Sequence, residues 1–182
     1  YLKDGENDEV TTTYSELDRH TRCIAAKLQA LSKQGERAIL LFPPGLDFVA
    51  AYFAGLYAGV IVIPAYPPHP ARLEKTLETT LRIIADAEPT SVLLTSSLLE
   101  SINSKPSIKE KFETIKFLVT DTEEIFNWDK QWLQPKINKD DIAFIQLSAS
   151  SNRFDDLLPL MDSVKQHLKT IKVDDMITVK GS

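Results

Sequence analysis

Ala38-Ile39-Leu40-Leu41-Phe42-Pro43-Pro44-Gly45-Leu46-Asp47-Phe48-Val49, continued without a charge through Val60-Ile61-Val62-Ile63-Pro64-Ala65-Tyr66-Pro67-Pro68, decides the fold of this 182-residue chain. Ala38 to Phe42 is a short unbroken apolar run closed by two prolines and a glycine, the pattern of a buried strand that ends in a tight turn. The alanine- and aromatic-rich stretch after it reads as a helix, and the β-branched run Val60 to Ile63 as a second buried strand. The uncharged run Phe48 to Pro64 is near the lower limit of about 17 residues for a membrane span. Its change of character at Gly59 argues for a helix followed by a strand, with no span. Gly55 and Gly59 form a GxxxG pair, read here as close helix packing and a helix stop.

Working outward, Thr13 to Glu16 forms a capping box before an amphipathic helix carrying Leu17, Ile24, Leu28 and Leu31 on one face, with Gly35 as its stop. Ala65 to Pro70 is too proline-rich for helix or central strand and is expected as a stiff loop. Helical spacing resumes from Arg72 to Ala87 through Leu73, Leu77, Leu81 and Ile84, and Pro89 bars its continuation. Ser91 to Leu94 reads as a strand, Ser96 to Asn103 as a short helix and Ile115 to Thr120 as a strand. Thr122 to Lys139 is loop-like, with Trp128 and Trp132 expected to cover one patch of core. Ile142 to Leu147 reads as one more buried strand, Leu157 to Ile171 as a helix and Met176 to Lys180 as a last strand. Alternating strands and helices predict an α/β fold, layered, with a mainly parallel sheet flanked by helices.

Composition fits one compact unit, since a chain of this length buries roughly 70% of its unfolded surface. Residues 1–147 form its main part, and 148–182 a divergent tail of helix plus short strand within the same unit. Hydrophobic content of 43% and charged content of 26% are ordinary for a globular protein. A net charge of -5 gives no basic footprint for nucleic acid. The single Cys23 forms no internal disulfide, and no signal-peptide pattern opens the chain, so a reducing cytoplasmic setting is expected, with Cys23 a buried, unreactive thiol. His20, His69 and His167 are scattered without metal-like spacing or a nucleophile partner, and Arg72 and Lys75 read as a solvated helix face. No Walker A or GxGxxG stretch occurs, and no catalytic or metal-ligating residue is assigned.

Three stretches, Ala38 to Val49, Gly55-Leu56-Tyr57-Ala58-Gly59-Val60, and Val62-Ile63-Pro64-Ala65-Tyr66-Pro67-Pro68, resemble the N-terminal region of fatty acyl-AMP ligases, members of the adenylate-forming superfamily. The resemblance runs from Thr13 to about Gln146, and Pro-Ala-Tyr-Pro-Pro is its most discriminating piece. It implies ATP- and Mg2+-dependent activation of a fatty acid to an acyl-adenylate, followed by transfer to an acyl carrier protein. Such chemistry needs a loop of backbone N–H groups and hydroxyls around the phosphates. In the family that loop reads Tyr-Thr-Ser-Gly-Ser-Thr-Gly followed by proline, lysine and glycine. Here Leu147-Ser148-Ala149-Ser150-Ser151-Asn152-Arg153 stands in its place. Gln146 before the loop matches, and Ser148 and Ser151 keep hydroxyls. Ser150 and Arg153 replace the two glycines, and Phe154, Asp155 and Asp156 supply no lysine. Val173 to Gly181 faintly resembles the superfamily's interdomain hinge, with Ile171-Lys172 where Gly-Arg is usual. The expectation is an N-terminal ligase-like piece, inactive alone and needing no cofactor by itself. The alternative is a non-catalytic or self-associating module that uses open sheet edges.

Overall fold

The computed structural model describes residues 11–69, 73–112 and 115–146. Helix α1 spans Tyr14–Leu31. Thr13 caps it: the Thr13 hydroxyl accepts the Glu16 N–H at 3.1 Å, and the Glu16 carboxylate accepts the Thr13 N–H at 2.7 Å. The Thr13 N–H, then the Thr13 hydroxyl, hold the Glu16 carboxyl below the ordinary carboxylate range. A depressed folded-state value means that this stabilisation is present above the unfolded value of about 4.3 and disappears as pH falls through the lower folded value. Thr13→Ala should cost about 1 kcal/mol at neutral pH. The stability gap between Glu16→Gln and the parent should narrow below pH ~4, which urea titrations at pH 3 and pH 7 would check.

The helix stops earlier than its sequence spacing indicates. Ser32 is the C-cap, in extended backbone, with its N–H on the Leu28 carbonyl. Gly35 therefore is not the helix stop. It sits at φ +81° in the turn into the first strand, and its N–H donates to the Gly59 carbonyl at 2.8 Å. Ser32 and Ser91 share a buried hydroxyl–hydroxyl hydrogen bond of 3.1 Å, so two polar side chains at the base of the sheet satisfy each other.

Strands β1 (Arg37–Leu41), β2 (Ile61–Ala65), β3 (Ser91–Leu94) and β4 (Lys116–Val119) form a four-stranded sheet in the order β2-β1-β3-β4. All three pairings are parallel; Leu40, for example, lies opposite Pro64 on one side and Leu93 on the other. Helix α2 (Leu46–Ala58) links β1 to β2, α3 (Leu73–Ala87) links β2 to β3, and the short α4 (Ser96–Asn103) and α5 (Pro106–Lys109) lead toward β4. The path moves outward from β1 to β2, then reverses across β1 to β3 and β4. Right-handed crossovers require the connecting helices to change face at that reversal, and the core divides accordingly. Ala38, Leu40, Val62, Leu93 and Leu118 point toward α1 and α2. Ile39, Leu41, Ile63, Val92 and Leu94 point toward α3 and α4. The period-two alternation of each strand thus fills two layers, and every strand residue from Ala38 to Leu41 is fully buried.

Gly59 ends α2 in the left-handed conformation at φ +71°. Gly55, one turn earlier, lies directly on Val62 of β2; a methyl group there would overlap Val62 Cγ1. At the end of α3, Glu88 takes φ 43° and donates its N–H to the Ile84 carbonyl, a left-handed cap followed at once by Pro89.

Two segments differ from their sequence reading. Ile142 to Leu147 is not a buried strand over its described part: only Phe144 bridges to Val62, in parallel, and Ile142 is 39% exposed. The backbone of β2 explains this. Val62 donates to Ala143 O and accepts from Ile145 N, but the next outward-facing donor position on β2 is Pro64, which has no N–H. On the other side, the Val60 N–H is already used by Gly55 O at 2.9 Å. The ladder is therefore bounded to one bridge. Thr122 to Lys139, in turn, contains two 3-10 turns, Glu123–Asn127 and Asp129–Gln131, packed on α1. Trp132 donates its indole N–H to Tyr57 O at 2.8 Å and stacks under the Arg22 guanidinium, while Trp128 lies under the Lys27 ammonium. Asp18 accepts from both Arg22 and Tyr57 at 2.9 Å, joining α1, α2 and this segment. Burial first, then the hydrogen bond to Asp18, raises the Tyr57 phenol above its ordinary range.

No helix among the described residues is long and apolar enough to cross a membrane. The helix read at Leu157–Ile171 and the strand read at Met176–Lys180 lie outside the described residues.

Candidate site at the carboxyl edge of the sheet

Parallel strands bring their C-terminal ends to one edge, and the path of the chain reverses there between β1 and β3. Four turns meet at this edge. Phe42 to Gly45 leaves β1, Tyr66 to His69 leaves β2, Thr95 and Ser96 follow β3, and Thr120 and Asp121 follow β4.

The proline loop after β2 is pinned at its far end: Pro68 is buried, and the His69 N–H donates to the Thr76 hydroxyl on α3 at 3.0 Å. Two residues before Pro68, Tyr66 stands 88% exposed. At β3 and β4 the polar groups close on one another. Ser96 donates its N–H and its hydroxyl to the two carboxylate oxygens of Asp121, each at 2.8 Å, and Leu98 donates to the Thr95 hydroxyl at 3.4 Å. A protein carboxylate thus already occupies the donors at the start of α4. His20 of α1 reaches the same edge, with Nε2 3.1 Å from the Thr120 carbonyl and its ring 4.8 Å from Phe126. A carbonyl only accepts, so His20 Nε2 carries the proton. Thr120 itself is buried, its hydroxyl without a hydrogen-bond partner among the described residues.

Of the positions singled out in the sequence, Gln146 is described: it is exposed and lies two residues beyond the parallel bridge between Phe144 and Val62. Ser148, Ser150 and Ser151 lie outside the described residues, as do Arg72 and His167. His20 and His69 are held in separate local contacts. Cys23 is completely buried, and burial raises its thiol above the ordinary range, which makes it a poor nucleophile. Among the described residues no three His, Cys, Asp or Glu side chains converge as a metal site. The Ser96–Asp121 clamp and the His20–Thr120 contact were invisible in sequence, since they join residues 25 and 100 positions apart.

A four-stranded parallel sheet flanked by helices, with a stiff Pro-Ala-Tyr-Pro-Pro turn at its carboxyl edge, is the architecture expected of the N-terminal part of adenylate-forming enzymes. Residues 2–151 match the AMP-binding enzyme family, and the chain belongs to it. It is 38% identical over 152 residues to the medium-chain-fatty-acid--[acyl-carrier-protein] ligase JamA of Moorena producens, covering 83% of this chain and 26% of that protein. It is 28% identical over 158 residues to the long-chain-fatty-acid--AMP ligase FadD32 of Mycobacterium marinum, covering 83% of this chain and 23% of that one. The crystal structure of a fatty acyl-adenylate ligase from L. pneumophila, in complex with acyl adenylate and pyrophosphate, superposes with a TM-score of 0.69 at 35% identity, over 82% of this chain and 25% of that structure. The chain therefore spans about a quarter of the length of these relatives.

Proposed function

We propose that this chain carries the opening part of a fatty acyl-AMP ligase-like protein and does not catalyse acid activation by itself. The family reaction is ATP-dependent conversion of a fatty acid to its acyl-adenylate, with ATP and Mg2+ as cofactors and an acyl carrier protein as acceptor. The observation that carries the reading is the position of Gln146. It follows the edge segment bridged to Val62, and the residues directly after it are those that depart from the family's phosphate-loop pattern.

Leu147 to Asp156 do not fit a triphosphate. Side chains at Ser150 and Arg153 stand where glycines let backbone N–H groups approach phosphate oxygens, and Asp155 and Asp156 add negative charge beside an anion. The described residues add no acidic cluster to hold Mg2+, and the start of α4 already binds the Asp121 carboxylate. No catalytic step is assigned to this chain. The family match ends at residue 151, inside the altered loop, which supports placing the departure there. The lone, fully buried Cys23 is compatible with a reducing cytoplasmic setting.

Calorimetric titration with ATP and Mg2+ tests this reading. No saturable binding is expected below millimolar ATP, and micromolar affinity would show that the altered loop still grips phosphate.

A further inference from the structure

Ile125 is the last buried residue of the described chain; none from 126 to 146 is buried. Within that stretch, residues 132–146 cross the ends of α1 and α2 and are held mainly by side chains. Among the described residues, no backbone–backbone hydrogen bond joins residues 132–142 to the rest of the chain. The Gln29 carboxamide on α1 takes that place: it donates to Leu133 O at 2.6 Å and accepts the Leu133 N–H at 3.1 Å. A paired strand would offer the same donor and acceptor. Gln34 repeats half of the pattern, donating to Lys136 O at 2.6 Å. Pro135 lies against Gly59, where an added Cβ would come within 3.2 Å of the proline Cβ. Apolar attachment is limited. Trp132 and Phe144 rest half-buried on the core layer of α1 and α2, and Ile145 on the opposite layer, while Leu133 is 75% and Ile137 47% exposed.

We propose that residues 132–146 form a strap that opens as one unit while the sheet stays folded, with Gln29 and Gln34 as its latch. A segment with few buried apolar groups and solvent-facing hydrogen bonds opens at a lower free energy than the core it lies on. The far end has little to hold it independently. The bridge to β2 consists of the Val62 N–H on Ala143 O at 3.3 Å and the Ile145 N–H on Val62 O at 2.9 Å, and Pro64 prevents its extension. Releasing the two glutamines lengthens the loop that this bridge must close, so each attachment weakens when the other is lost. Gln146 lies two residues beyond the bridge. Closure of the strap therefore fixes where the chain leaves β2, and opening releases that point.

Native-state hydrogen exchange of the full chain, read by NMR in increasing subdenaturing urea, tests this. The Val62 and Ile145 amides should exchange at least tenfold faster than those of Leu40 and Leu93 in the central strands β1 and β3. Their urea dependence should also be shallower, since opening the strap exposes less surface than unfolding the sheet. The combined variant Gln29→Ala, Gln34→Ala should speed exchange at Val62 and Ile145 about tenfold, although the glutamines bond to Leu133 and Lys136. Leu40 and Leu93 remain the slower pair in the same spectra and report that the variant is folded. Equal rates and urea slopes at all four amides of the parent overturn the proposal, because the segment then leaves only with the whole fold. So does a change below threefold at Val62 and Ile145 in the variant, because the bridge and the latch then open separately. ATP takes no part in the measurement, so its outcome stands apart from the acid-activation reading.

Discussion

Replacing the phosphate loop of a full-length fatty acyl-AMP ligase with Leu147 to Asp156 of this chain should lower kcat about 10³-fold. A preorganised donor aimed at developing charge contributes roughly 10²- to 10³-fold, and on the proposed reading Ser150 and Arg153 stand where the family has two glycines, with no lysine after them. Glycine matters there because a Cβ holds phosphate oxygens away from the backbone N–H groups and disfavours the positive φ that such loops use. The two aspartates act in the same direction. A unit charge about 8 Å from another costs on the order of 2 kcal/mol at an effective dielectric constant near 20. Returning glycine at the positions of Ser150 and Arg153, together with the missing lysine, should recover most of the lost rate. A loss of less than tenfold in the transplant would mean that the altered loop is competent.

Gly55→Ala should destabilise the fold by about 1–3 kcal/mol, against the usual direction for this change in a helix. Alanine is favoured over glycine by roughly 0.8–1 kcal/mol inside a helix. The added methyl, however, falls on Val62 Cγ1, and Val62 is wholly buried with a stiff χ1. Overpacking of that kind typically costs about 1–3 kcal/mol, and Val62 lies in the middle of β2, where the parallel pairing to β1 holds the strand in place. Val62→Ala alone leaves a cavity, but with Gly55→Ala it supplies the missing space. A double-mutant cycle by urea denaturation should therefore show a favourable coupling of about 1 kcal/mol or more. Additive effects would mean that the two residues are not in contact.

Much of this architecture is readable from residue patterns. The Ala38–Phe42 run, the turn Pro43-Pro44-Gly45 and the β-branched run after Gly59 give β1, α2 and β2 directly, and the strand at Ser91–Leu94 and helix at Ser96–Asn103 match the structure to the residue. Gly55 was legible as a close-packing position, although its partner Val62 was not. The misreadings have local causes. Gly35 carries the signal of a helix stop because turns and helix ends both use left-handed glycine, but Ser32, bonded to Ser91 across 59 residues, is what ends α1. Ile142 to Leu147 has strand composition throughout, yet pairing also depends on the neighbour, and Pro64 removes the donor that a longer ladder needs. At the site, the proline loop and Gln146 were legible because they are contiguous in sequence. Asp121, Thr120 and His20 were not, since only the parallel topology gathers their strand ends.

The most direct measurement is acyl-adenylate formation by the chain alone with ATP, Mg2+ and a medium-chain fatty acid, followed by mass spectrometry of acyl-AMP and by pyrophosphate release. The proposed reading, a ligase-like opening part that does not activate acids by itself, predicts neither product above the enzyme-free background. Acyl-AMP accumulating to one equivalent of protein or more would contradict it.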